Sequence, residues 1–235
     1  MREIVFDTET TGLKPEDGER VIEIGAVELE NRFPTGRSFH VYINPQGREV
    51  HPEALRVHGI ENSFLVDKPL FQDIIEDFLE FIGDGVLVAH NATFDMKFIN
   101  SELARLGMPA FPEDRVIDTL MLARRKHPMG PNSLDALCSR YNVDNTHRTR
   151  HGALLDSELL AEVYIEMNGG RQATLLLDSD QKENGNIDDE PVISFERRQR
   201  SKPLPSRLTT EEIERHKQFL ATIGDKAIWK EWLQD

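Results

Sequence analysis

The spacing of apolar residues changes character between residues 44 and 71, and that change restricts the fold more than any other feature. Before it, Arg2–Thr8, Val21–Glu30 and Arg37–Asn44 are rich in Val, Ile and Phe with partial alternation. Turn-like segments with Gly, Pro and Asn separate them, which is the pattern of three strands in a meander. After it, Phe71, Ile74, Ile75, Phe78, Leu79 and Ile82 recur at helical spacing behind Pro69 and stop at Gly83. Val86–Ala89 reads as a short buried strand, Phe94–Leu106 as a helix ended by Gly107 and Pro109, and Arg115–Asp118 as a brief fifth strand. Helices follow near Thr119–Lys126, Ser133–Tyr141 and Ala153–Met167, the last stopped by Gly169 and Gly170. Three strands and then alternating helix and strand predict an α/β fold, a mixed five-stranded sheet with flanking helices. Ligand sites in such sheets favour strand ends.

With 235 residues the chain has material for one full domain and an appendage. We expect a domain over residues 1–170, a flexible linker over 171–208 and a tail over 209–235. The linker segments "DSDQKENGNIDDEP" and "RRQRSKPLPSR" are polar, charged and turn-rich. The tail regains order, with capping-box spacing at Thr209 and Glu212, Ile213, Phe219, Leu220 and Ile223 in a helical window, and Trp229 and Trp232 near the end. Of the formal net charge of −14, residues 171–235 carry little, with 11 Lys and Arg against 13 Asp and Glu; the acid belongs to the folded part. Such a domain gains little from counterion release and holds nucleic acid weakly unless cations intervene. No signal-peptide pattern and no membrane-spanning apolar run are present, so a soluble, cytoplasmic protein with no membrane partner is expected. The single cysteine, Cys138, sits at helical spacing with Leu134, Leu137 and Tyr141 and reads as a packed thiol.

The stretch "REIVFDTETTG" delivers two carboxylates, Asp7 and Glu9, at the end of the first strand. Residues i and i+2 of a strand share a face, so these two repel unless a cation lies between them. Oxygen ligands of this hardness suit Mg²⁺ or Mn²⁺. Spacing alone means little, because Asp-x-Glu also occurs at Asp17–Glu19 and Asp188–Glu190. Two further junctions strengthen it: "VLVAHNATFDMKF" carries Asp95, and "HGALLDSELLAEVY" carries His151 and Asp156. On one helix His151 and Asp156 would point roughly 140° apart. If the helix begins near Gly152 or Ala153, His151 lies on the preceding loop and can fold back over the cluster while Asp156 projects from the first turn. A surface histidine and a helix-start acid favoured by the dipole would share this pattern.

"FDTETTG", "HNATFD" and "HGALLD" resemble the three motifs of the DnaQ-like, or DEDDh, 3′→5′ exonucleases, whose fold is the ribonuclease H-like mixed sheet. "VIEIGAVE", "VHGI" and "NSLDALC" extend the likeness, over nearly all of residues 1–170, to the proofreading branch of that family. The resemblance implies that Asp7, Glu9 and Asp156 hold one metal ion, that Asp7 and, largely through water, Asp95 hold a second, and that His151 is the general base. Two Mg²⁺ or Mn²⁺ ions are thus implied per site, cleaving DNA from its 3′ end and releasing nucleoside 5′-monophosphates. By resemblance, Glu53 hydrogen-bonds the 3′ end and His58 packs near the terminal base. Thr10, Thr11 and Gly12 follow the metal strand, where a glycine lets backbone approach the terminal nucleotide. His147, Arg148 and Arg150 could meet phosphates, whereas His90 and Asn91 are expected to order a turn and His40, His51, His127 and His216 to form no constellation.

The implied macromolecular partners are a DNA 3′ end, single-stranded or frayed, and the catalytic subunit of bacterial DNA polymerase III, reached through the tail. A short peptide, Gln172–Leu177, resembles sequences that bind the sliding clamp. A stand-alone RNA-trimming enzyme and a catalytically dead interaction module are the competing readings. The linker and paired tryptophans speak against the first, and the full set of four carboxylates with His151 against the second.

Overall fold

A computed structural model describes residues 1–148, 150–170 and 209–223. Five strands, β1 (Arg2–Thr10), β2 (Val21–Glu30), β3 (Phe33–Tyr42), β4 (Val86–Ala89) and β5 (Val116–Asp118), form one sheet in the order β3-β2-β1-β4-β5. β1, β2 and β3 pair antiparallel, while β4 and β5 join β1 in parallel, so the sheet is mixed as the change of period predicts. Parallel neighbours need crossovers, and helices supply them. The helices are α1 (Pro52–His58), α2 (Asn62–Leu65), α3 (Phe71–Ile82), α4 (Ala92–Arg105), α5 (Thr119–Lys126), α6 (Leu134–Tyr141) and α7 (Ala153–Met167). A further helix, α8 (Thr210–Ile223), is described by itself.

Alternation along β1 divides the core. Ile4 and Phe6 join Phe71, Phe78, Phe98 and Ile99 on the face covered by α3 and α4. Val5 joins Leu137, Leu160, Val163 and Tyr164 beneath α6 and α7. Continuing that parity, Asp7 and Glu9 look toward the α7 side and Thr8 toward the α4 side. Buried Cys138 packs in the second cluster, as its helical spacing suggested, and burial pushes its thiol pKa up.

Several boundaries depart from the sequence reading. β3 begins at Phe33, because its hairpin with β2 is tight and Asn31 and Arg32 take positive φ at the turn. The segment "HPEALRVH", assigned no element from its sequence, contains helix α1. Its seven residues are too few to show a period; the usable signals were Pro52 at the first turn and Gly59 at the C-terminus, where φ is +73°. At α8, Glu212 accepts hydrogen bonds from the Thr209 amide and hydroxyl, both at 2.8 Å, completing the capping box. Phe219 on that helix is exposed. The linker over 171–208, the peptide Gln172–Leu177 and the residues Trp229 and Trp232 lie outside the described residues.

One glycine sets how α7 meets the sheet. Gly25 on β2 pairs with Asp7, and a Cβ there would stand 2.1 Å from the Leu154 amide nitrogen and 2.2 Å from the Ala153 carbonyl carbon. The Ser157 hydroxyl bonds the Gly25 carbonyl at 2.9 Å. Backbone cannot yield as a side-chain tip can, so Gly25→Ala is expected to shift α7 and lower stability by about 1–3 kcal/mol. Denaturant unfolding checks this, and a wild-type midpoint would reject it.

Candidate active site

β4 pairs with β1 only as far as Val5, opposite Val88. Beyond that point the Thr8 amide faces a side where no strand follows, and Asp95 from the first turn of α4 takes it. The amide donates to Asp95 Oδ1 at 3.1 Å and the Thr8 hydroxyl to the same oxygen at 2.7 Å. Asn91, at φ +67°, opens this helix, and its amide bonds Asp118 Oδ1 at 3.1 Å; His90 Nδ1 meets the Thr119 hydroxyl at 3.0 Å. Both residues order the turn, as the sequence suggested.

On the other face, α7 begins at Ala153 with Gly152 at its N-cap, so Asp156 lies in the first turn and His151 precedes the helix. Asp156 is buried, whereas the His151 side chain is half exposed, with Nδ1 3.0 Å from Asp156 Oδ2. One donor atom from each of Glu9, His151 and Asp156 lies within 4.8 Å of the others. Asp7, partly exposed, and buried Asp95 stand beside this group and complete a set of four carboxylates, two from β1 and one from each flanking helix.

The electrostatics follow from that crowding. Burial first, then the charges of Asp95, Glu9, Asp156 and Glu23, push the Asp7 carboxyl well above its usual range. Burial and the charge of Glu23 raise Glu9 to about 8. Burial raises Asp95 to about 7 against the opposing hydrogen bonds of Thr8. Asp156 differs: burial would raise it, but the hydrogen bonds of Arg148 and His151 outweigh that and hold it below the usual value. Protons or cations must therefore compensate this pocket, and its oxygen-rich donor set with one imidazole fits hard divalent ions.

The remaining site residues lie around this centre. Thr10 is buried and its hydroxyl donates to the Gly12 carbonyl at 2.6 Å. The space that Gly12 leaves open is filled by Glu19, whose Cδ would lie 2.6 Å from a Cβ, so the missing side chain serves a neighbour in the fold as well as any ligand. Gly12, Glu53 and Val57 line a cavity of about 490 Å³, and the Val57 carbonyl accepts from the His151 amide at 3.3 Å, which ties that cavity to the carboxylates. Glu53 is exposed on α1. His58 is buried; its Nδ1 accepts from the Ile60 amide at 2.9 Å, leaving Nε2 to carry the proton, and burial holds its pKa down.

Three features escaped the sequence reading. His40, expected to stand outside any constellation, bonds Glu23 at 2.7 Å, and buried Glu23 pairs across the strands with Glu9. Cross-strand register, not motif spacing, brings them together. Arg150 lies against the backbone of Gly59. Arg148, one of three residues that could meet phosphates, is turned inward: Nε and Nη2 bond the two oxygens of Asp156 at 2.6 and 2.7 Å. Its basic neighbours in sequence gave no sign of this pairing.

A four-carboxylate cluster at the end of the central strand of a mixed sheet, with a histidine at its mouth, is a donor set suited to metal-assisted hydrolysis. The family model described as Exonuclease matches residues 4–164, and the chain belongs to that family. The DNA polymerase III subunit epsilon of Rickettsia felis is 46% identical over 226 residues, covering 95% of this chain and 97% of the relative. The subunit of the same name from Escherichia coli K12 is 42% identical over 241 residues, covering 97% of each. Within the exonucleases the chain thus falls in the family of DNA polymerase III epsilon subunits. Among solved structures, Exonuclease X in complex with 5′ overhanging duplex DNA matches with TM-score 0.55 and 28% identity, covering 71% of this chain and 89% of that one. The nuclease domain of 3′hExo, a DEDDh family member, shares the fold at TM-score 0.62 and 17% identity, covering 71% of this chain and 91% of that one. Membership brings dependence on a divalent metal, which the donor set accommodates. Among the described residues no helix is long and apolar enough to cross a membrane.

Proposed function

We propose that this protein removes mispaired 3′-terminal nucleotides from DNA during replication, as the proofreading exonuclease subunit of DNA polymerase III. The observation that carries the chemistry is the convergence of Glu9, His151 and Asp156 donor atoms within 4.8 Å, with Asp7 and Asp95 alongside. Asp7, Glu9 and Asp156 would hold one Mg²⁺ or Mn²⁺, and Asp7 with Asp95 a second. Such a pair activates water and neutralises charge on the departing 3′ oxygen. His151 acts as general base: its Nδ1 stands 3.0 Å from Asp156 Oδ2, and once Nδ1 donates to that oxygen Nε2 is the nitrogen left to take a proton from the attacking water. Thr8 orients Asp95 from two sides, while Gly12, Thr10, Glu53 and His58 shape the seat for the terminal nucleotide.

The same reading assigns residues 1–170 to catalysis, 171–208 to a linker with a clamp-binding peptide at Gln172–Leu177, and 209–235 to the catalytic subunit of the polymerase. A linker of this length has a reach of about 35 Å and raises local substrate concentration to about millimolar, which suits an acidic domain with weak intrinsic DNA affinity. The test compares the full chain with a chain ended at Gly170. Both should degrade a 3′-mismatched DNA primer in Mg²⁺ or Mn²⁺ and fall silent in chelator, and only the full chain should co-purify with the catalytic subunit. Preference for a matched RNA oligomer over the mismatched primer would favour the RNA-trimming reading, and tight polymerase binding by the shortened chain would overturn the division of roles.

A further inference from the structure

Arg148 is buried on the Asp156–His151 side of the carboxylate cluster. Its side chain is 7% exposed and its fork closes on both oxygens of Asp156, at 2.6 and 2.7 Å. Nη2 also lies 2.7 Å from His151 Nδ1 and 3.3 Å from Nε2, so one guanidinium touches two of the three members of the metal-donor group. Nη1 bonds Asp135 Oδ1 at 2.7 Å, on a side chain that is mostly exposed at the outer edge. The arrangement is that of a cation seated among ligands. The fork takes a lone pair of each Asp156 oxygen, the same oxygens that a bound cation would use, and Oδ2 also faces His151 Nδ1 at 3.0 Å. A single Nδ1, moreover, cannot accept from Arg148 and donate to Asp156 at once.

Resting on the metal-dependent reading above, we propose that Arg148 is an exchangeable internal cation, which holds Asp156 and His151 while no divalent ion is bound and leaves Asp156 when the ion enters. The exchange leaves no group unpartnered: a divalent charge would replace that of the guanidinium at Asp156, the guanidinium would keep its outer bond to Asp135, and His151 Nδ1 would be freed to donate to Asp156. Without such a cation, Asp156 would be a buried, unpaired charge in an acidic pocket. Arginine suits the task because its fork matches a carboxylate and its charge does not titrate away.

The experiment is calorimetric titration of Mn²⁺ into the full chain and into Arg148→Gln and Arg148→Lys, with thermal unfolding in chelator and at saturating Mn²⁺. Arg148→Gln should bind Mn²⁺ about tenfold tighter, the effect of removing competing charge-assisted hydrogen bonds. It should also melt lower in chelator and recover most of that deficit with Mn²⁺. Arg148→Lys keeps the charge but cannot span both oxygens, so it should tighten binding by a smaller factor, and it decides the matter should the glutamine variant not fold. Equal or weaker Mn²⁺ binding by a folded variant would make Arg148 a fixed support and overturn the exchange. Failure of the wild-type chain itself to bind Mn²⁺ would instead remove the metal reading, and the exchange with it.

Discussion

Asp7→Asn is expected to lower hydrolysis of a short single strand by about a thousandfold or more while raising the melting temperature of the metal-free protein. The first effect follows from the place of Asp7 between the proposed ion positions: losing its charge removes several kcal/mol of transition-state stabilisation, and each 1.36 kcal/mol is about tenfold in rate. The second follows from the burial and the four neighbouring carboxylates that push Asp7 well above its ordinary range. Asparagine keeps the shape and discards the repulsion. Single-turnover assays and calorimetry in chelator measure the two effects. Near-normal turnover would remove Asp7 from the metal set, and a lower melting temperature would show that its charge is compensated within the protein.

The metal-free protein should lose stability as pH rises from about 4.5 to about 8, and saturating Mn²⁺ should remove that loss. Glu9 is raised from 4.5 to about 8 and Asp95 from 3.8 to about 7. Across this window the folded state holds protons that the unfolded chain has released, so the stabilisation present at low pH disappears as pH passes through the folded-state values. Glu9 alone accounts for on the order of a few kcal/mol, and the coupled carboxylates share it. Asp156 runs the other way: lowered by Arg148 and His151, it contributes stability above the usual carboxylate range and loses it at more acid pH. Unfolding in chelator across this range, repeated with Glu9→Gln, provides the measurement. The variant should flatten the slope, and a metal-free stability that is level or rises toward pH 8 would refute the account.

The features legible in the sequence share one property: they are local. The period of apolar residues marked α3 because that helix buries one continuous face in the core, and burial writes itself into spacing. The start of α7 at Ala153 was readable for a similar reason, since Gly152 and the apolar run bound it closely enough to place His151 before the helix and Asp156 within it. Helix α1 was missed because seven residues capped by His51, which accepts the Glu53 amide, carry no repeat. Its effect on the site is real, since Glu53 and His58 now have fixed positions on one element.

From the sequence alone came the order of the five strands along the chain, the mixed sheet and the four acids with their histidine. Tertiary structure alone decided who faces whom. Register set Glu23 against Glu9 and gave it His40, the close approach at Gly25 set the depth of α7 beside Asp7, and the end of β4 left the Thr8 amide to Asp95. Arg148 is the clearest case. Eight residues before Asp156 and thirteen after Asp135, it is joined to both by charge that only the folded chain brings within bonding distance. Periodicity records which side of an element is buried, whereas pairing between elements depends on distances that no single segment encodes.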